Sequence, residues 1–129
     1  MSVKALTLWQ PYATAIALGL KRYETRSWAT KYRGKLAIHA SLKPLTISSK
    51  ELATKYGILE LPLGQVLLIC DLEDCILMTP EFINSQPQTE KDFGDWCVGR
   101  YAWKLSNIQV LTQPLSISGH QGLWNLEMD

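Results

Sequence analysis

Apolar and polar residues alternate from Val3 to Leu8, and a period of two marks a strand with one face in the core. After Gln10-Pro11 the period becomes helical. Tyr12, Ile16 and Leu20 share a face, with Ala13 and Ala17 beside them. Pro11 suits the first helical position, where its missing N–H is not needed, and Gly19 suits a left-handed stop. Arg22–Trp28 alternates again, which predicts Glu24 and Arg26 on one face and Tyr23 and Thr25 on the other. Gly34 introduces a further strand, Lys35–Ala40, in which His39 is opposite in parity to Leu36 and Ile38.

Ser48-Ser49-Lys50-Glu51 has the form of a capping box, and Gly57 closes the helix it opens. Gln65–Met78, dense in β-branched and long apolar residues, predicts one long strand or a bent pair. Thr79-Pro80 reads as cap and first-turn proline of a short helix through Asn84. Ser85–Asp95 is polar and reads as an irregular surface loop. Arg100–Leu111 predicts a strand, with or without a bulge, and Gly122–Leu126 a short closing strand. Strands outnumber helices and their order lacks a regular βαβ rhythm. With no repeat and no linker, residues 1–129 read as one α+β domain, a mixed β-barrel with peripheral helices.

Composition narrows this reading. A chain of 129 residues, 47% hydrophobic, can bury a core without metal or disulfide staples. The apolar stretch Gln65–Met78 is interrupted by Asp71, Glu73 and Asp74, so no membrane span is expected. Met1-Ser2-Val3-Lys4 lacks the apolar run of a signal peptide, which makes cytoplasmic residence the expectation. Cys70, Cys75 and Cys97, with His39 and His120, fit neither a disulfide framework nor a zinc spacing. No metal and no cofactor is expected. Net charge is only +1, but its distribution is uneven. Over residues 1–35, seven basic side chains against Glu24 alone leave +6, while six basic and eleven acidic residues beyond leave −5. Either the first part forms a basic face toward a phosphate-bearing ligand, or folding intersperses the two.

The densest polar run is Gly19-Leu20-Lys21-Arg22-Tyr23-Glu24-Thr25-Arg26, where a helix ends and a strand begins. Glu24 and Arg26 are about 6.6 Å apart along a strand, a gap their side chains can close. An acceptor beside a guanidinium can read a base edge together with a phosphate or carbonyl. Lys21 is out of parity, but the turn after Gly19 can redirect it. By spacing alone, a solvated strand face with weak surface ion pairs is the favoured account of the run. Trp9, Trp28, Trp103 and Trp124 can stack on bases or fill the core, and Trp9, beside Gln10 at the strand-to-helix junction, is the best candidate for stacking. His39 ends a strand as a candidate base reader, and Tyr101 can offer a hydroxyl. Asp71-Leu72-Glu73-Asp74 reads as a solvated turn, and Cys97 has no partner for a nucleophile's role.

Gly19-x-Lys21-x-x-Glu24-x-Arg26 resembles the GxKxxExR signature of the ASCH family, related to PUA and EVE domains. The likeness extends to Leu8-Trp9-Gln10-Pro11-Tyr12-Ala13, Ser27-Trp28, Tyr32-Arg33-Gly34-Lys35-Leu36 and Ile38-His39-Ala40. It continues in Gly99-Arg100-Tyr101-Ala102-Trp103 and Gly119-His120-Gln121-Gly122-Leu123-Trp124, and is nearest to a branch that includes a domain of a eukaryotic transcription coactivator. The resemblance implies a PUA-like β-barrel whose cleft, lined by the signature residues, binds RNA, a nucleotide or a modified nucleoside. The expected ligand-binding residues are Trp9, Gln10, Lys21, Glu24, Arg26, His39 and Tyr101. Some small bacterial proteins similar to this family are amidohydrolases of N4-acylated cytidines, using a Lys, a Thr nucleophile and a Glu. Here Lys21 matches the lysine, but Glu24 occupies the threonine position, and a carboxylate is a poor nucleophile for acyl transfer. In an enzyme of this type Lys21 and Glu24 would carry the acid–base roles. A third reading is an adaptor that docks a protein partner.

Overall fold

Two strands explain most of the architecture, because both of their faces are covered. The computed structural model describes residues 1–128. β1 (Ser2–Leu8) pairs in parallel with β3 (Gly34–Ala40), bringing Leu6 opposite Ile38 and Thr7 opposite His39. On one face of this pair Leu6, Leu8, Leu36 and Ile38 pack with Leu68, Leu72 and Trp103. On the other, Val3, Ala5 and Ala37 pack with Val66, Trp124 and Leu126. Small residues at Ala5 and Ala37 let the second layer approach closely.

The remaining elements extend this centre. β2 (Tyr23–Arg26), β4 (Gln65–Leu77), β5 (Tyr101–Ser116) and β6 (Leu123–Glu127) complete a six-stranded mixed sheet of order β2-β5-β4-β3-β1-β6. The strand pairing does not close, so β2 and β6 are edges and the expected barrel becomes an open α+β sheet. The register of β4 against β5 shifts between Val66 and Leu68, Ile69 and Asp71, and Leu72 and Asp74. Such irregularities bend a strand and increase its twist without needing closure.

α1 (Tyr12–Ala17) lays Ala13 and Ile16 on the main core and Ala15 in a third cluster with Ala53, Ile58 and Phe93. Pro11 precedes this helix as its cap residue and does not begin it. Gly19 ends the helical segment at φ +79°, which a glycine adopts without strain. α2 (Ile47–Lys55) starts before the expected capping box, because the Thr46 hydroxyl accepts from the Ser49 N–H at 3.1 Å. α3 (Pro80–Asn84) is capped by Thr79 with proline in its first turn, as its sequence predicts. The polar stretch 85–95 departs from expectation. It holds α4 (Gln88–Asp92) and buries both Glu90 and Phe93. Phe93 and the buried Glu90 carboxylate anchor this stretch, together with Asp92, which accepts from Lys55 and Tyr56. No helix of the described residues is long and apolar enough to cross a membrane.

Trp103 has no exposed surface and joins β5 to the main core, with its indole donating to the Trp28 carbonyl at 3.3 Å. Trp103→Ala is expected to lower unfolding free energy by roughly 3–5 kcal/mol, measured by urea denaturation. A loss under about 1 kcal/mol would mean that the core closes around the vacancy, against the usual behaviour of packed interiors.

Candidate functional site

The turn at Gly19 sends the chain back beneath α1, where the Leu20 and Lys21 N–H groups both donate to the Ala15 carbonyl. Lys21 therefore enters β2 from inside the molecule, and its side chain is 1% exposed. A buried ammonium requires partners. Its Nζ donates to the Phe93 carbonyl at 2.5 Å and lies 3.5 Å from Glu24 Oε1. The other carboxylate oxygen, Oε2, accepts from Arg26 Nε at 2.9 Å. Strand parity is thus realised: Glu24 and Arg26 share a face, and the redirected Lys21 joins them. Burial pushes the Lys21 ammonium below lysine's ordinary pKa, against the pull of the Glu24 and Glu90 carboxylates.

Glu90 locks the start of β2. It accepts the Arg22 N–H at 3.1 Å from each oxygen and the Tyr23 N–H at 2.9 Å. Its own carbonyl accepts from the Trp96 indole at 2.8 Å, and Trp96 lies edge-on to Tyr23. Gly94 follows in a crowded place: a Cβ there would lie 2.8 Å from Trp96 Nε1 and 2.9 Å from Thr25 Cγ2. The α4 segment is in this way clamped over the polar triad.

A cavity of about 500 Å³ opens on the triad. Lys21, Glu24 and Arg26 line it together with Trp9 and Tyr12, and Phe93, Asp95 and Arg100 complete its wall. Arg100 is held by the Asp95 and Thr25 carbonyls, at 3.0 and 3.4 Å. Trp9 is 56% exposed, and Lys43 Nζ stands 3.2 Å from the centre of its ring. A second cavity, of about 860 Å³, shares Thr7, Trp9 and Arg26 with the first.

Of the residues expected from sequence, Trp9, Lys21, Glu24 and Arg26 meet in the first cavity. His39 lines the second and is fully committed within it. Its Nε2 lies 2.7 Å from the Ile117 carbonyl, which can only accept, so Nε2 carries the hydrogen. Nδ1 then accepts from the Thr7 hydroxyl at 3.2 Å, and Thr7 Oγ1 accepts from the Trp124 indole at 3.1 Å. Gln10 lines neither cavity. It is buried, its amide oxygen accepts the Thr14 N–H, and its Nε2 donates to Thr14 Oγ1 and the Pro62 carbonyl. Tyr101 stands opposite Arg26 in the β2–β5 register and also lines neither cavity. Sequence reasoning passed over Glu90, Phe93 and Asp95 because they sit in a polar stretch with no periodic signal. Arg100 lay within a matched block but was not singled out.

Four of the seven basic side chains of residues 1–35 are ion-paired in the fold. Arg33 pairs with Asp74 at 3.6 Å and Lys35 with Asp71 at 4.0 Å, while Lys21 and Arg26 share Glu24. Two of these, Arg33 and Lys35, meet acids from β4. Cys70 is buried and its thiol is pushed up to about 12 by desolvation, which leaves it unreactive. Among the described residues no group of three His, Cys, Asp or Glu side chains is placed to hold a metal ion.

A family model described as the ASCH domain matches residues 6–113. The human protein "Activating signal cointegrator 1" is 30% identical over 135 residues, covering 95% of the chain, and its mouse counterpart matches equally. The chain spans only 22% of the length of each of these relatives. Among solved structures, the crystal structure of ASCH from Zymomonas mobilis superposes with a TM-score of 0.58 at 20% identity. That likeness covers 88% of this chain and 72% of the other, and it speaks to fold alone.

The triad's energetics can be tested directly. Glu24→Ala strands the Lys21 ammonium in the interior and is expected to cost roughly 3–5 kcal/mol. Lys21→Met leaves Glu24 paired with Arg26 and fills the same volume, so its loss in chemical denaturation should be clearly smaller. Equal losses would show that the Lys21 charge is not what Glu24 answers.

Proposed function

The chain belongs to the ASCH domain family, and from that premise we propose that its first cavity is a base-recognition pocket for a nucleotide or an RNA element. The observation that carries this reading is the Lys21–Glu24–Arg26 triad lining a cavity of about 500 Å³ beside the exposed ring of Trp9. That volume lies within the range of small-molecule pockets. Glu24 is aligned by a cation on each oxygen, so it accepts hydrogen bonds from a base amine or ring N–H. Arg26 and Arg100 supply donors for a carbonyl or phosphate. Trp9 and Tyr12 supply aromatic surface, and stacking on such a side chain contributes ~1–3 kcal/mol per base. The cavity's ionic side chains, Lys21, Arg26 and Arg100 against Glu24 and Asp95, leave one net positive charge. Affinity then comes from fitted contacts more than from bulk attraction.

One observation favours a second reading, hydrolysis of an acylated nucleoside. Thr25 borders the same cavity as Lys21 and Glu24. Its hydroxyl oxygen, however, accepts the Asp95 N–H at 3.0 Å, and both Glu24 oxygens are taken by cations. A base free to abstract the Thr25 proton is not among these contacts. The binding reading is therefore preferred.

In calorimetric titration with the four nucleoside 5′-monophosphates and short RNA oligomers, Glu24→Gln and Arg26→Ala should each weaken binding about tenfold, near 1.4 kcal/mol. Wild-type protein should turn over N4-acetylcytidine little or not at all. Robust deacylation lost in Thr25→Val or Lys21→Ala, with substrate affinity kept, would reverse the choice. Salt supplies the second measurement. With two arginines available to phosphate, the log–log slope for a single strand should be shallow, about −1.4 at ~0.7 per phosphate. A slope of about −3 or steeper would reveal a phosphate-lined groove in place of a base pocket.

A further inference from the structure

The two cavities meet at three residues, Thr7, Trp9 and Arg26, and this junction has a particular chemistry. Arg26 Nε is spent on Glu24, and Nη2 reaches the Thr7 carbonyl only at 3.4 Å. The guanidinium carries five N–H donors, so donors remain for an incoming anion. Glu24 faces the first cavity and would repel a phosphate placed deep inside it. No carboxylate lines the second cavity. An anion held by Arg26 is therefore favoured on the side of the junction away from Glu24.

The second cavity is built as firmly as the first. Its far wall is the segment Ser118–Gly122, anchored where the Ile117 carbonyl accepts from His39. Gly119 packs so closely that a Cβ would fall 2.5 Å from Thr7 Oγ1 and 2.7 Å from the His39 ring. The near wall carries Trp9 and Trp28, both partly exposed, and Trp28 is held edge-on to Trp103 with centroids 4.7 Å apart. His120 and Gln121 are exposed and offer donors and acceptors at the rim. Aromatic faces, neutral hydrogen-bonding groups and one arginine at the entrance match a second nucleotide.

We propose that the second cavity seats the neighbouring nucleotide of the same single strand, with the linking phosphodiester at Arg26, so that the ligand is an oligonucleotide of at least two residues. This rests on the reading of the first cavity as a base pocket. The strand would thread from the triad, past Trp9 and Arg26, onto Trp28 and the Ser118–Gly122 wall. The shared residues make the two seats additive on one chain and not independent sites for two free nucleotides.

Calorimetric titration of the full chain with nucleoside 5′-monophosphates and the matching 5′-phosphorylated homodinucleotides, at one salt concentration, tests this. For the preferred base, the dinucleotide should bind at least tenfold tighter than the monophosphate. A His120→Ala, Gln121→Ala double variant, altering two exposed side chains, should remove several-fold of that gain and leave monophosphate affinity unchanged. Monophosphate and dinucleotide binding within twofold of each other would overturn this inference while leaving the base pocket standing. A dinucleotide gain untouched by the double variant would overturn it too, because the second nucleotide would then lie elsewhere. Binding of neither probe would remove the base-pocket reading and this inference with it.

Discussion

The placement of one ammonium group organises this molecule. Lys21 is drawn inside by the turn at Gly19, and an unpaired charge there would carry a desolvation penalty of several kcal/mol. The answer comes from two directions. Glu24 is three residues on along β2, and the Phe93 carbonyl arrives from the α4 segment 72 residues away. The second partner requires residues 88–95 to fold back over the start of β2. Glu90, accepting the Arg22 and Tyr23 N–H groups from that same segment, fixes how they do so. Charge burial, a short helix and an edge strand are one cooperative arrangement.

That arrangement explains why the pocket is polar yet stiff. Glu24 lies between two cations, each on its own oxygen, so its carboxylate plane is set before any ligand arrives. The burial gradient runs outward, with side-chain exposures of 1% at Lys21, 10% at Glu24 and 24% at Arg26. The inner cation serves mainly to hold the carboxylate, and the outer one is free to meet a ligand. Preorganisation of this kind lowers the ordering cost of binding. It also argues against proton transfer as the purpose of Glu24, since a carboxylate already bound on both oxygens is better suited to accepting one more hydrogen bond.

What could be read from the sequence was local. Alternation located β1 and β2, β-branched and apolar density located β4, Thr79-Pro80 located α3, and parity put Glu24 beside Arg26. The failures share a cause. Glu90 and Phe93 owe their burial to contacts with residues far earlier in the chain, and a polar stretch carries no periodic trace of them. Gln10, beside a helix start, was expected at the ligand. Its amide is instead satisfied in the interior by Thr14 and Pro62. His39 was likewise absorbed by Thr7 and Ile117. Barrel closure failed as an expectation because it depends on whether two edge strands meet, which no property of either strand alone decides.

Charge gives the sharpest contrast between chain and fold. The first 35 residues hold an excess of +6, which on an unfolded chain suggests attraction to any polyanion. In the folded molecule, acids from β4 come to Arg33 and Lys35, and Glu24 offsets one of the two charges of Lys21 and Arg26. The cavities themselves present a few directed donors. A broad field raises association rate and non-specific affinity, both of which vanish with salt. In the proposed base pocket, directed donors beside a fixed carboxylate would discriminate between bases, because a base lacking the matching N–H forgoes a hydrogen bond to a charged acceptor, worth about 1.5–3 kcal/mol.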